Sequence, residues 1–260
     1  GANYTVTPTK TINKLNGITS ADATRIQQHV ANSAPITDAY KLVASDVNKT
    51  NSITTLDATI VNQALLGNPS ALAQFKTSWR FVPASHTMTS PPWGFPEKIT
   101  LTGVTTSMPN QDFVGIKTGD IVTTFANPGN FGVAAEGLVL NVPDAMLQAG
   151  TETDVEFRVN QLQDLAALQF ALHFDPEVLE LSAVQPLAAL PLGEDHFGTY
   201  NLSEGEIRVA WSQNQGMTIE EATPVFRLKF NVLQGGIQLS EVLKLDQEAL
   251  PGFAYTSALA

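Results

Sequence analysis

Hydrophobic and polar residues alternate through most of the C-terminal half of the chain. In residues 155–159, VEFRV, apolar side chains occupy every second position. A period of two is typical of a β-strand that buries one face. The same alternation recurs in residues 168–174, 207–212 and 226–232, and turn formers such as Asp175-Pro176 separate the runs. The pattern predicts an all-β sandwich, with room for a short helical turn near residues 218–222.

The N-terminal half has a helical period instead. Packing positions recur at spacings of three and four residues in two places, at Ala23, Ile26, His29 and Val30 and again at Ala58, Val61, Leu65 and Leu66. This spacing predicts two helices. Gly67, which is followed by Asn68-Pro69, predicts the end of the second helix.

These two helices belong to a short internal repeat. Residues 16–24, NGITSADAT, align with residues 51–59, NSITTLDAT, and six of the nine positions are identical. The copies lie 35 residues apart. Two copies are too few for a solenoid, so the repeat predicts a paired unit.

The composition limits the classes of function. Charged residues make up 15% and hydrophobic residues 43% of the 260 residues, as in ordinary folded proteins. The net charge of −11 argues against a nucleic-acid partner. The chain has no cysteine, which excludes disulfides and thiolate metal sites. No apolar run approaches the roughly 20 residues of a membrane span, and we expect any signal peptide to lie outside this sequence.

The acidic excess lies in one half of the chain. Residues 1–133 carry a net charge of +2, whereas residues 134–260 carry −13. A segment rich in turn formers, residues 127–132, lies at this step. We therefore predict an N-terminal unit over residues 1–126, a linker over 127–136, and a β-sandwich over 137–260.

The second repeat has the oxygen spacing of a calcium loop. Counted from Asp46, oxygen-bearing side chains stand at positions 1, 3, 5, 9 and 12 of a twelve-residue segment. Calcium takes six to eight oxygen ligands, and this spacing wraps one loop around one ion. The ligands that we expect are Asp46, Asn48, Thr50, the backbone carbonyl of Ser52, and Asp57.

Several substitutions weaken this prediction. Asn51 stands at position 6, where a glycine is usual, and only two ligands carry charge, so we expect reduced affinity. The alternative is a helix capped by Thr54 that binds no metal. In the first repeat Thr11 and Leu15 replace ligands, so we expect that loop to hold its shape without calcium.

A duplicated calcium-type loop with one helix per copy resembles a type I dockerin domain. Residues 46–67, DVNKTNSITTLDATIVNQALLG, resemble a standard dockerin segment, and residues 16–30 resemble the metal-poor first repeat of a variant group. Residues 78–83 and 112–120 also resemble that group, which occurs in secreted modular surface proteins. The resemblance implies bound Ca²⁺ and partner contacts at loop positions 10 and 11, which are Ser20, Ala21, Thr55 and Leu56. Alternatively, these four are ordinary residues of the first helical turn.

The C-terminal half resembles a cohesin domain. Residues 165–180, LAALQFALHFDPEVLE, contain the strand-ending motif of that family, and residues 205–211 and 224–230 resemble its later strands. The resemblance covers residues 137–260 and implies a jelly-roll type β-sandwich. It also implies dockerin modules as partners.

We find no arrangement of residues typical of an enzyme. The four histidines are scattered, and no nucleophile elbow or phosphate loop is present, so we expect no catalytic residue. In the loop-rich stretch 85–109, Trp93 and Phe95 are flanked by prolines. Core packing is the first interpretation of these aromatics, and glycan contact is the second.

Together these features predict a non-catalytic assembly fragment of a secreted or cell-surface protein, in the setting of polysaccharide degradation. Its partners would be cohesin or dockerin modules, in cis or in trans, and the opposite charges of the two halves would favour their association. One alternative is a carbohydrate-binding module that uses a row of exposed aromatics, for which the candidates are Phe197, Tyr200, Trp211 and Tyr255. The other is a structural stalk or adhesin segment.

Overall fold

A computed structural model describes residues 1–122 and 139–259. Residues 1–122, here called the helical unit, contain the helices α1 (Ser20–Val30), α2 (Ala39–Ser45), α3 (Thr55–Leu65) and α4 (Pro69–Gln74). The predicted linker, residues 127–136, lies outside the described residues. Residues 139–259 form the sandwich.

The two predicted helices correspond to α1 and α3. Both begin with the same local arrangement, in which an N-cap threonine and an aspartate three residues later satisfy each other's backbone N–H groups. Gly67, with φ +81°, follows α3 and confirms the predicted end of that helix. The helices bury Ile26, Ile60, Val61 and Leu65 in one core.

The helical unit also contains four short strands. They are β1 (Ala2–Val6), β2 (Trp79–Pro83), β3 (Ile99–Val104) and β4 (Phe113–Lys117). β1 pairs with β3, and β2 pairs with β4, both in antiparallel orientation. Phe95 is buried in the core of the helical unit and Trp93 packs against it, as the core-packing interpretation predicts.

The sandwich contains nine strands in two antiparallel sheets, which confirms the predicted fold of this half. The strands are β5 (Leu140–Asn141), β6 (Glu152–Val159), β7 (Leu162–Phe174), β8 (Leu179–Pro186), β9 (Phe197–Asn201), β10 (Glu206–Ile219), β11 (Thr223–Val232), β12 (Leu243–Leu245) and β13 (Phe253–Thr256). A short helix, α5 (Leu239–Val242), precedes β12.

One sheet has the order β12-β7-β10-β9, and β13 also pairs with β7; we call it the front sheet. The other sheet has the order β5-β6-β11-β8. Aromatic side chains fill the space between them, and the rings of Phe157 and Phe226 stack at 4.4 Å. Trp211 is buried in the same core. The alternation in the sequence therefore assigned the inward faces correctly.

The expected helical turn near residues 218–222 is wrong. β10 continues to Ile219, and Ala222 occupies a tight turn with φ +57° before β11 begins. Residues 220–222 form a tight turn by which the chain crosses from the front sheet to the other sheet, and Ala222 N–H donates a hydrogen bond to the Val159 carbonyl on β6. Among the described residues no helix is long and apolar enough to cross a membrane.

Candidate functional site

The second loop, Asp46–Asp57, closes around its two aspartates. Asp46 Oδ1 accepts a hydrogen bond from Thr50 N at 2.9 Å, and its Oδ2 accepts one from Asn51 N at 2.9 Å. Asp57 Oδ1 accepts one from Val47 N at 3.1 Å. Both carboxylates are buried, so the chain wraps around the positions that would hold an ion.

The turn at the middle of this loop needs a left-handed residue. Asn51 has φ +62° and Lys49 has φ +57°. Asparagine tolerates this region better than most non-glycine residues. The replacement of glycine at position 6 is therefore compatible with the loop geometry.

The donor atoms of the second loop fit a hard cation. Thr50 Oγ1 lies 3.4 Å from Asp46 Oδ1 and 3.4 Å from the Ser52 carbonyl oxygen. Asn48 Oδ1 lies 3.2 Å from Thr50 N, on the same turn. The side-chain ligands predicted from the sequence all offer oxygen atoms, as calcium prefers, and backbone N–H groups of the loop also reach the two carboxylates. Within residues 1–122 and 139–259, His, Asp and Glu form no cluster of three, so the loop would depend on neutral oxygens as well as two carboxylates.

The electrostatics of the loop also favour a cation. Burial raises the pKa of Asp57, and the neighbouring charge of Asp46 adds to this rise, while hydrogen bonds from Thr54 and Asn48 oppose it. Two buried carboxylates in one loop repel each other, and a bound cation would remove that repulsion. The capping role of Thr54 is also present, so both interpretations of the loop are compatible with its geometry.

The first loop, Thr11–Asp22, is built differently. Leu15 stands at position 5, where its side chain supplies no oxygen. The carboxylate of Asp22, at position 12, accepts hydrogen bonds from Ile121 N at 2.6 Å and Val122 N at 2.9 Å. The acidic position of this loop is thus occupied by contacts from a distant segment.

The predicted partner residues of the first repeat lie against the sandwich. Ser20 N donates a hydrogen bond to Gln169 Oε1 at 2.6 Å. Ala21 is buried in a small apolar cluster with Ala167 and Tyr255. These contacts place the start of α1 on the front sheet of the same chain.

The predicted partner residues of the second repeat are at the surface. Thr55 is exposed, and Leu56 is 50% exposed. The two repeats therefore have different surroundings at equivalent positions. The first faces the sandwich, whereas the second faces solvent.

Hydrogen bonds join α1 and the sandwich along the length of the helix. Thr24 Oγ1 donates to the Ala166 carbonyl at 3.2 Å, and Gln28 Nε2 donates to the Ser257 carbonyl at 2.7 Å. Gln27 Nε2 donates to the Ser212 carbonyl at 3.3 Å. Since these acceptors belong to or flank β7, β10 and β13, the helix lies across the middle of the front sheet.

The C-terminal end of α3 lies beside α1 against the same face of the front sheet. Asn62 Nδ2 donates to Ser212 Oγ at 2.7 Å, and Gln63 Nε2 donates to the Asp195 carbonyl at 2.6 Å. Arg208 Nη1 donates to the Leu65 carbonyl at 3.4 Å. The front sheet thus contacts both helices of the repeat.

Small residues allow this close approach. Ala171 and Ala210, on neighbouring strands of the front sheet, are buried in the core of the helical unit. At Gly198 an added Cβ would lie 2.1 Å from the Leu66 carbonyl oxygen. A side chain at this position would collide with the backbone of the helical unit, so the surfaces fit only with glycine there.

Charge plays little part in these contacts. Glu97 pairs with Lys49 and Arg80 inside the helical unit. Arg208 pairs with Glu206 inside the sandwich, and Arg227 pairs with Glu156 there. The side-chain hydrogen bonds described above across the interface come from neutral groups, apart from that of Arg208. Among residues 1–122 and 139–259, the ion pairs named here lie within each unit, and neutral groups supply most of the side-chain hydrogen bonds across the interface.

The interface also buries polar atoms that lack partners. Within the described part of the chain, Ser20 Oγ, Gln27 Oε1 and Asn62 Oδ1 are buried and accept or donate no hydrogen bond. An unsatisfied buried polar group costs roughly 1–3 kcal/mol, and water would satisfy each of these on separation. The interface is therefore weaker than its close fit alone would suggest.

The candidate aromatics for sugar binding do not form a row. Phe197, Trp211 and Tyr255 are buried, whereas Tyr200 is 50% exposed. A stacking platform needs several exposed rings in one plane, and these four residues do not provide it.

Comparison with known proteins gives the following similarities. No curated protein matches the chain. One similar solved structure is a type I cohesin–dockerin complex from Clostridium thermocellum, Coh-OlpA-Doc918, with 11% identity, a TM-score of 0.39, and coverage of 48% of this chain and 90% of that one. Another is CaCohA2 from Clostridium acetobutylicum, with 14% identity, a TM-score of 0.36, and coverage of 48% and 82%.

A third is the second type II cohesin module of the ScaA scaffoldin from Acetivibrio cellulolyticus, with 15% identity, a TM-score of 0.37, and coverage of 50% and 90%. The family comparison agrees with the resemblance found in the sequence. Residues 137–250, somewhat less than half of the chain, match the family model of the cohesin domain.

Proposed function

We propose that this chain is a non-catalytic assembly module in which a dockerin-like helical unit docks in cis on a cohesin-like sandwich. The observation that carries the proposal is the position of α1, which lies across β7 and β10 with Ser20 N on Gln169 and Ala21 buried against Ala167 and Tyr255. The cohesin match of residues 137–250 supports an interaction role for the sandwich.

The proposal includes one calcium ion in the second loop. Asp46, Asn48, Thr50, the Ser52 carbonyl and Asp57 would bind it, and the supporting observation is the buried pair of carboxylates in a loop whose proposed ligand atoms are all oxygens. The ion would fix the start of α3 and thereby the α3 side of the interface. The first loop is proposed to bind no calcium.

The parent protein is proposed to be secreted or located at the cell surface and to act in polysaccharide degradation. The support is the resemblance of both halves to modules that assemble such enzymes. The buried unsatisfied atoms of the interface favour a contact that can open, so that either half could bind a cohesin or dockerin module in trans. No catalytic residue is part of the proposal.

Cleavage of the connection between the two units tests the docking. A protease site is inserted within residues 127–136, the full chain is cut, and the product is passed over a sizing column. We expect the two pieces to elute together, because the interface does not depend on the connection. Separate elution of the wild-type pieces at about 10 μM would contradict the proposal.

The repeat offers a matched pair of variants for this test. Ala21 and Leu56 occupy the same repeat position, but Ala21 is buried at the interface and Leu56 is exposed. We expect Ala21→Glu to separate the cut pieces, since it buries a charge, and Leu56→Glu to leave them together. Equal behaviour of the two variants would show that α1 does not form the contact.

A further inference from the structure

Residues 117–122, which follow the second repeat in the chain, place the ammonium group of a lysine in the first loop. Lys117 Nζ donates hydrogen bonds to the Lys14 carbonyl, inside the loop, at 2.6 Å and to the Thr118 carbonyl at 3.1 Å. The lysine is 6% exposed. Burial lowers its pKa to about 8, and the negative charges of Asp120 and Asp22 oppose this fall. The side chain is therefore mostly in its charged form at neutral pH.

The same segment satisfies the acid of the first loop. Asp22 is completely buried, and its Oδ1 accepts hydrogen bonds from the backbone N–H groups of Ile121 and Val122. In the second loop the equivalent atom, Asp57 Oδ1, accepts one from Val47 within its own loop. Each repeat thus has a buried aspartate at position 12, but different N–H groups donate hydrogen bonds to it in the two repeats.

The segment is held against the loop by its shape as well. Gly119 has φ +86°, and its N–H donates to the Ala44 carbonyl at 2.8 Å. An added Cβ at Gly119 would lie 2.8 Å from Ile18 Cδ1 and 2.9 Å from Phe75 Cε1. A glycine turn therefore lies between Lys117 and Ile121, which both contact the first loop.

We propose that residues 117–122 replace the metal ion of the first loop. Lys117 supplies a buried positive charge inside the loop, at the Lys14 carbonyl, and the N–H groups of Ile121 and Val122 supply the contacts to the Asp22 carboxylate. The first loop is then permanently closed by the chain itself, whatever the calcium concentration. This inference goes beyond the proposed docking and does not require calcium in the second loop.

Amide hydrogen exchange of the full chain at pH 7.5, with calcium and with a chelator, tests the inference. In the wild type we expect exchange in residues 11–24 to change by less than twofold on chelation. Lys117→Met should raise exchange in residues 11–24 by tenfold or more in both conditions, because the loop then loses the buried ammonium that bonds the Lys14 carbonyl. Lys117→Gln, which retains a donor, should give a smaller rise.

Lys49→Met is the matched control, because Lys49 belongs to the second loop and its ammonium pairs with Glu97 instead. It should leave exchange in residues 11–24 unchanged. Exchange in β7 reports on global folding in every variant. Chelation that opens residues 11–24 of the wild type, or a Lys117→Met protein with wild-type exchange there, would overturn the inference. If the only negative result is that exchange in residues 46–57 does not respond to calcium, that result counts against the proposed calcium site and not against the inference about the first loop.

Discussion

The substitution Gly198→Ala should weaken the interface between the two units without destabilising the sandwich itself. Gly198 lies on β9 at the front sheet, and the three nearest atoms to an added Cβ all belong to Leu66, with the carbonyl oxygen at 2.1 Å and Cβ at 2.9 Å. Its φ is not in the left-handed region, so a sandwich without the helical unit would accept alanine. The conflict exists only in the docked state.

The size of the effect follows from this geometry. An ordinary contact needs about 3.4 Å, so the methyl group requires a separation of more than about 1 Å. Because the obstacle is backbone, no side-chain rotation relieves it, and overpacking of this kind costs roughly 1–3 kcal/mol. The shift would also strain the bond between Gln63 Nε2 and the Asp195 carbonyl, now 2.6 Å. We therefore expect docking to weaken by about 5- to 150-fold.

The assay is the dissociation constant of the cleaved chain, measured by sedimentation equilibrium. Gly252→Ala is the matched control, since a Cβ there meets nothing closer than 3.4 Å. Urea unfolding of the sandwich should show no loss of unfolding free energy for Gly198→Ala, because alanine in a strand is more stable than glycine by about 0.5–1 kcal/mol. A Gly198→Ala chain that docks as tightly as the Gly252→Ala chain would refute the reasoning.

Three further predictions concern the loops and the core. Calorimetric titration of the chain should give one calcium ion, lost in Asp46→Ala and retained in Thr11→Ala; two ions would show that the first loop binds metal. Burial, reinforced by Asp120, raises the pKa of Asp22 to about 7, so the folded chain retains a proton that the unfolded chain has lost, and this contribution to stability disappears as pH rises from about 4 to 7. Urea unfolding should accordingly show a steeper fall over that range for the wild type than for Asp22→Asn, and parallel curves would be incompatible with a raised pKa. Trp211→Ala, in the sandwich core, should lower the free energy of unfolding by roughly 3–5 kcal/mol, and a loss below 1 kcal/mol would mean that the ring is not packed as described.

Local patterns in the sequence determined the elements of this protein. The period of two predicted β6, β7, β10 and β11, because a strand that buries one face must alternate. The helical spacing predicted α1 and α3, and Gly67 marked the end of α3. The spacing of oxygens from Asp46 to Asp57 predicts a calcium loop, and this stays a prediction; in the fold Thr50 lies against the Asp46 carboxylate.

Tertiary structure alone decided which of the two repeats faces the sandwich. Ser20-Ala21 and Thr55-Leu56 are equivalent in the sequence, yet only the first pair faces the sandwich. Shape and small residues such as Gly198 favour that face, and the side-chain hydrogen bonds across it come from neutral groups apart from that of Arg208. Likewise, Lys117 lies about a hundred residues from the loop that it closes. Contacts between distant segments leave no local period, so no pattern of neighbouring residues could have shown them.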